Sequence, residues 1–311
     1  MEVQKIQDLL RKLKEDNVSG ANEFIDKALE IIRYQLNLTD DPYKDIREEI
    51  VSLSKQIIDA RPSMAPLINT IGYLIQNLEI LNKSFIEDRL NQFNIDRKKR
   101  KESLELVFHT FLKENKKYPL KVILISYSST IINLLLKNKD YNFEIYVLES
   151  RPLLEGQRVA EILSSHFKTH LIIDAAIGKF IEEIDVVLIG ADSILKDGSI
   201  VNKIGTFPLA LLASTREKDI YAVVDSYKYN LKSHYGYSIL IEEKPTKEIY
   251  KKEITNKLLE VHNYYFDITP SDHISGIISD LGVLRIQEFL EKVKKSVPIE
   301  WFKYFLNNKE I

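Results

Sequence analysis

Five short segments, continuously apolar and rich in isoleucine and valine, constrain this chain more than anything else in it. They are KVILIS (121–126), FEIYVLE (143–149), HLIIDA (170–175), DVVLIG (185–190) and IYAVVD (220–225). A strand with one wet face alternates polar and apolar residues, whereas a strand apolar throughout is covered on both faces. Helical stretches separate the five, at about 130–137, 155–167, 177–184 and 205–218. This alternation predicts an α/β fold: a parallel, doubly wound, Rossmann-like sheet with helices on both faces.

The residues before the first of these strands read as helix. Val3, Ile6, Leu9, Leu10 and Leu13 form one helical stripe, and Phe24, Ala28, Leu29 and Ile32 another. Asp41 and Pro42 suit an N-cap and first helical position, opening a helix with Ile46, Ile50, Leu53 and Ile57 on one face. Arg61-Pro62-Ser63 ends that helix, because the residue before proline is pushed out of the helical region. An apolar helix is expected from about Met64 to Leu81, and a long one from Ser84 to about Lys116. The predicted organisation is therefore a helical domain, 1–117, and an α/β domain, 118–311, meeting at Tyr118-Pro119.

Composition removes several classes of function. With 44 Lys and Arg against 46 Asp and Glu, there is no global field to attract nucleic acid. The basic run Arg97-Lys98-Lys99-Arg100-Lys101 lies in a helical stretch and reads as a solvated face rather than an RNA contact. No apolar run approaches the ~18 residues of a membrane span. Cysteine is absent, which excludes disulfides, thiolate metal sites and a thiol nucleophile. These features suit a cytoplasmic protein with no direct nucleic-acid or membrane partner.

In doubly wound sheets ligands bind beyond the carboxyl ends of the strands. That rule selects 126–129, 149–152, Asp174, 190–192 and 225–228. Asp192, just past a buried strand, can serve as a general base, bind a sugar hydroxyl, or simply hold a turn. Asn202 and Lys203 precede Gly205-Thr206, where a helix begins. A helix N-terminus offers unpaired N–H groups and partial positive charge, so Asn202, Lys203 and Gly205 make a candidate phosphate cradle. Arg151 can fork onto a phosphate or form a surface ion pair. Arg61 can supply a second phosphate contact or cap its helix, and Lys228 adds positive charge after the fifth strand. His166 and His170 lie four apart, but their segment straddles a predicted helix end and strand start, so no metal and no cofactor is expected. There is no G-x-S-x-G elbow and no Walker A motif.

Four motifs carry a resemblance: ESRPLLEGQRVAEIL (149–163), IDAAIGKFIEEIDVVLIGADSILKDGSIVNKIGT (173–206), VVDSYKY (223–229) and FDITPSDHISGIISDLGVL (266–284). Together they resemble the superfamily of the alpha, beta and delta regulatory subunits of eukaryotic initiation factor 2B, in an archaeal-type form. Two sugar-phosphate isomerases, acting on methylthioribose-1-phosphate and ribose-1,5-bisphosphate, belong to it as well. In the helical half the resemblance rests on RPSMAPLIN. The resemblance implies a helical domain, a Rossmann-like domain, and a homodimer or hexamer built through the latter.

For the isomerases it implies aldose–ketose chemistry, with a cysteine after the first strand and the aspartate of Gly-Ala-Asp moving a proton or hydride between C1 and C2. Carried onto this chain, the aspartate is Asp192, the phosphate ligands are Arg151, Asn202, Lys203 and Arg61, and the cysteine position is Ser126, a degenerate catalytic position. The expectation is thus a regulatory-subunit-like protein that binds a sugar phosphate or nucleotide monophosphate, and initiation factor 2 through its alpha subunit. The alternative is a ribose-1,5-bisphosphate isomerase, and a third reading is a fold relative with another small-molecule substrate.

Overall fold

The computed structural model describes residues 2–16, 20–62, 64–76, 81–115 and 117–307. Ser63, Lys116 and the side chain of Val3, which enter the expectations above, lie outside what is described. The chain packs as two compact units, and their membership differs from the expected division at 117/118. One unit comprises 1–102, 226–238 and 291–311, and the other 103–225 and 239–290.

The first unit holds α1 (Glu2–Glu15), α2 (Ala21–Leu36), α3 (Arg47–Ala60), α4 (Ala65–Ile75) and the first part of α5 (Lys83–Glu114). Of the predicted stripes, Ile6, Leu10 and Leu13 of the first, all four residues of the second and all four of the third are buried. Helix α3 begins later than expected. The Asp41 carboxylate accepts from the Tyr43 N–H at 2.9 Å, and Asp45 and Asn82 form a bridge. Asp41-Pro42 therefore closes a turn, and Arg47 opens the helix under the Asp45 carboxylate at 3.0 Å. Helix α4 is buried almost all round, as an apolar helix inside a bundle should be. Within it the fully buried Asn69 donates to the carbonyls of Tyr227 and Tyr229 at 2.7 and 2.8 Å. Those bonds, with Arg100 lying 3.8 Å over the Tyr227 ring, tie 226–238 to the helical unit. Arg97 of the basic run pairs with Asp26, while Lys98, Lys99 and Lys101 face solvent, in keeping with a solvated face.

The second unit holds β1 (Leu120–Leu124), α6 (Ser129–Lys137), β2 (Phe143–Leu148), α7 (Glu155–Ser164), β3 (Lys168–Ile172), α8 (Ile177–Phe180) and β4 (Val186–Ile189). A hairpin of β5 (Ser193–Ile194) and β6 (Ile200–Lys203) follows, then α9 (Thr206–Thr215) and β7 (Asp219–Val223). The chain enters the helical unit for α10 (Leu231–His234) and returns with β8 (Phe266–Thr269), β9 (Gly276–Ser279) and β10 (Gly282–Leu284). Helices α11 (Ile286–Val293) and α12 (Ile299–Asn307) close the described chain.

All five predicted strands form, and the expected α/β sheet is parallel except at one edge. Its order is β10-β9-β7-β4-β1-β2-β3, with only β9 and β10 antiparallel. Aliphatic side chains from β1, β2 and β4 fill its core with Phe108, Phe143 and Phe167. A second, three-stranded sheet, β5-β6-β8, was not legible in the sequence. Its strands of two to four residues are too short for alternation to register. The helix expected at 177–184 is a single α-turn between two 3₁₀ turns, and Asn202 and Lys203 stand on a strand rather than in a loop.

Candidate ligand site at the strand ends

The strand order reverses between β1 and β4: β2 and β3 lie to one side of β1, and β4 and β7 to the other. A crevice opens at such a reversal, beyond the carboxyl ends of the two strands. Two serines there hold left-handed backbone conformations, Ser126 after β1 (φ 66°) and Ser150 after β2 (φ 64°). Such strain costs about 1–3 kcal/mol per residue and persists only where the surroundings enforce it. Here hydrogen bonds do so. The Ser126 N–H donates to Ser150 Oγ at 2.8 Å, and Ser150 Oγ donates to the Leu148 carbonyl at 3.0 Å. The Ser150 and Arg151 N–H groups donate to the two oxygens of Asp174 at 2.8 and 2.7 Å. The ends of β1, β2 and β3 are thereby latched together.

A carboxylate that sequence reasoning missed occupies the middle of this arrangement. Glu155 opens α7, and its Oε1 accepts from Ser126 Oγ at 2.8 Å and from Lys203 Nζ at 2.6 Å. Lys203 is almost fully buried and also lies 5.3 Å from the Tyr265 ring centroid. Glu155 Oε2 is buried without a hydrogen-bond partner. Gly156 sets the helix this close to β2, because a Cβ there would stand 1.8 Å from the Leu148 carbonyl oxygen. The one available signal was an acidic residue in the first turn of a helix at a strand end. Its partners are remote in sequence, so the signal had nothing to attach to.

On the other side of the crevice, a Cβ added to Gly190 would lie 3.3 Å from Ser128 Oγ and 3.8 Å from Asn202 Oδ1. These three residues converge beside β4. Asp192 is half-buried at the base of the β5–β6 hairpin, its N–H donating to the Val201 carbonyl at 2.8 Å. Asn202 Nδ2 donates to Thr206 Oγ1 at 3.0 Å, which itself donates to the Lys203 carbonyl at 2.6 Å. Asp192, Asn202, Lys203 and Ser126 therefore gather at the reversal point.

At the α9 N-terminus the structure shows a partner that the sequence did not indicate. Gly205 does adopt the positive φ (99°) that its position requires. Its N–H and that of Phe207, however, donate to Asp267 Oδ2 at 2.8 and 3.1 Å. The anion at this helix end is thus the protein's own carboxylate. Burial pushes the Asp267 carboxyl up to about 6, against the opposing pull of the Phe207, Gly205 and Thr206 amides.

Arg151 is exposed, and its guanidinium has no hydrogen-bond or ion-pair partner among the described residues. Arg158 lies 4.9 Å over the Tyr127 ring nearby in sequence. Arg61 and Lys228 belong to the helical unit. The Arg61 guanidinium donates to the Asp16 carbonyl and lies 5.3 Å from the Phe24 ring centroid, so its observed contacts are structural. The acidic partner of His170 stands on the neighbouring strand: its Nε2 lies 2.9 Å from Glu144 Oε1. Lys168 and then His170, outweighing burial, hold the Glu144 carboxyl down at about 2. No group of three or more metal-ligating side chains occurs among the described residues.

Comparison with known proteins agrees with this fold. A ribose 1,5-bisphosphate isomerase of Methanocaldococcus jannaschii is 27% identical over 294 residues, spanning 91% of this chain and 92% of that protein. A putative translation initiation factor eIF-2B subunit 2-like protein of Pyrococcus horikoshii is 27% identical over 286 residues, spanning 90% and 96%. The crystal structure of a Pyrococcus horikoshii translation initiation factor eIF-2B superposes with a TM-score of 0.75 at 24% identity, covering 90% of this chain and 97% of that one. The model of the Initiation factor 2 subunit family matches residues 5–286, and the chain belongs to that family.

Proposed function

We propose that this protein is a binding member of its family, holding a sugar phosphate or nucleotide monophosphate at the ends of β1, β2, β4 and β6 without converting it. Arg151 and Lys203 would hold the phosphate, and Asn202 and Asp192 the sugar hydroxyls. The observation that carries this reading is the hydroxyl of Ser126, placed where the resemblance expects a thiol. A free thiol has a pKa near ~8.5 and is readily activated. A serine hydroxyl is a far weaker acid, and the carboxylate oxygen that Ser126 touches is already held by Lys203. Losing a proton-transfer partner typically removes ~10²–10⁴-fold of rate. Binding by Lys203, Asn202 and Arg151 does not depend on that proton.

A second reading, isomerisation of ribose-1,5-bisphosphate, is favoured by a relative of that name alignable over nine-tenths of the chain, and by Asp192 at the strand end. Proton NMR of the purified protein with α-ribose-1,5-bisphosphate, beside Asp192→Asn, separates the two. Sugar phosphate that binds and stays unchanged supports the binding reading. Ribulose-1,5-bisphosphate formed by the wild type but not by the variant overturns it. Ser126→Cys is the complementary variant, expected to bring activity to a chain that has none. The protein partner in this reading is the alpha subunit of initiation factor 2, tested by pull-down, and the assembly is a homodimer or hexamer, tested by sedimentation.

A further inference from the structure

We propose that Glu155 is an internal occupant of the Lys203 anion site and sets the pocket's affinity for phosphate, an inference that rests on reading Lys203 as a phosphate ligand. Lys203 is 4% exposed, so its ammonium needs a counter-charge within the protein. Glu155 supplies one at 2.6 Å. The two side chains differ in how freely they can leave. Lys203 stands on β6 inside the sheet layer, whereas Glu155 is the first residue of α7 and keeps 19% of its side-chain exposure.

The seated carboxylate is also incompletely satisfied. Its Oε1 accepts from both Ser126 and Lys203, but its Oε2 is buried with no donor. A buried acceptor without a partner raises the free energy of the conformation that contains it. Glu155 therefore has a reason to leave when a better anion arrives. A phosphate dianion carries more charge and three acceptor oxygens. It takes the Lys203 ammonium, accepts from the Ser126 hydroxyl that Glu155 releases, and leaves the carboxylate to turn towards water. The price of displacing Glu155 comes off the binding free energy, so the wild-type pocket answers only at higher ligand concentration.

The test is calorimetric titration of the full-length chain with inorganic phosphate and with ribose 5-phosphate, for wild type, Glu155→Gln and Lys203→Met. Glutamine keeps the shape and an acceptor for Ser126 but removes the competing charge. The expected result is binding about tenfold tighter or more in Glu155→Gln and about tenfold weaker or more in Lys203→Met, tenfold being about 1.4 kcal/mol. In thermal melts the discriminating readout is the rise in Tm on adding phosphate, which loss of a merely structural glutamate would leave equal to the wild type's. Without ligand Glu155→Gln melts below wild type, and phosphate raises its Tm more than it raises the wild type's.

Should Glu155→Gln bind phosphate no better than wild type while Lys203→Met still weakens binding, the inference falls and the phosphate reading stands. Should the wild type and both variants all fail to bind, both fall together. If Glu155→Gln does not fold, Glu155→Asp, one methylene shorter, is expected to tighten binding in the same direction by a smaller factor. An unchanged or weakened affinity there would overturn the inference equally.

Discussion

Replacing Lys203 with methionine keeps the length and apolar stem of the side chain and removes its charge. The Glu155 carboxylate then retains only the Ser126 hydroxyl at 2.8 Å, with nothing on Oε2. Removing one member of a buried ion pair costs about 3–5 kcal/mol, because the other charge is left buried and unpaired. Glu155 keeps a side-chain exposure of 19% and can turn partly to water, which places this case at the lower end, about 2–3 kcal/mol.

At a urea m-value of about 2–3 kcal/mol/M, that loss lowers the unfolding midpoint by about 1 M. Far-UV circular dichroism in a urea titration reads it. Glu155→Gln is expected to cost a comparable amount, since it strands an ammonium that is only 5% exposed. The double variant holds no stranded charge, so its cost should fall below the sum of the single costs by at least ~1.5 kcal/mol. If instead the two single effects add to within ~0.5 kcal/mol, the pair is not coupled and the reasoning fails.

Gly156→Ala would set a Cβ 1.8 Å from the Leu148 carbonyl oxygen and 2.8 Å from its carbon. The obstacle is backbone and cannot rotate away, so the cost should exceed the ~1–3 kcal/mol usual for overpacking; a urea titration matching wild type would refute this. Asp267→Asn tests the carboxylate under α9. Its folded pKa of about 6 lies above its ordinary 3.8. The folded state therefore binds more protons than the unfolded state in that window, and the contribution of Asp267 to stability is full below about 3.8 and lost as pH rises through about 6. The asparagine variant, which keeps an acceptor for the Gly205 and Phe207 amides, should gain stability relative to wild type between pH 4 and pH 7; a wild-type minus variant difference that is flat with pH would contradict it. Glu144 has the opposite sign. Its carboxyl is held at about 2 against an ordinary 4.5, so the stability it contributes is present above about 4.5 and lost as pH falls through about 2. In Lys168→Met that acid-side loss should shrink, read as a smaller drop in urea midpoint between pH 5 and pH 3.

The doubly buried strands β1, β2 and β4 and the helical stripes were legible in the sequence, whereas β3, read in the same way, is an edge strand that leaves Leu171 exposed. These are local signals: burial on both faces writes continuous aliphatic runs, and a buried helix face writes a 3.6-residue period. Strand ends follow directly from strands, so the amino-acid order alone points to Ser126 and Asp192, while Asn202 and Lys203 were legible only as residues preceding a helix start.

Tertiary structure alone decided who touches whom. Nothing near Glu155 in the chain indicates Lys203, because the contact requires α7 and β6 to meet over the end of β1. Nothing near Gly205 indicates that Asp267 fills the helix end, since that carboxylate arrives on β8 of a sheet too short to leave a pattern. Nothing near 226–238 indicates its membership in the helical unit, where Asn69, Phe93 and Arg100 of remote helices hold Tyr227 and Tyr229. Periodicity records which face of an element avoids water. It does not record the partner that a buried charge or amide finds there, because that pairing depends on strand order, and strand order is settled by the packing of the whole sheet.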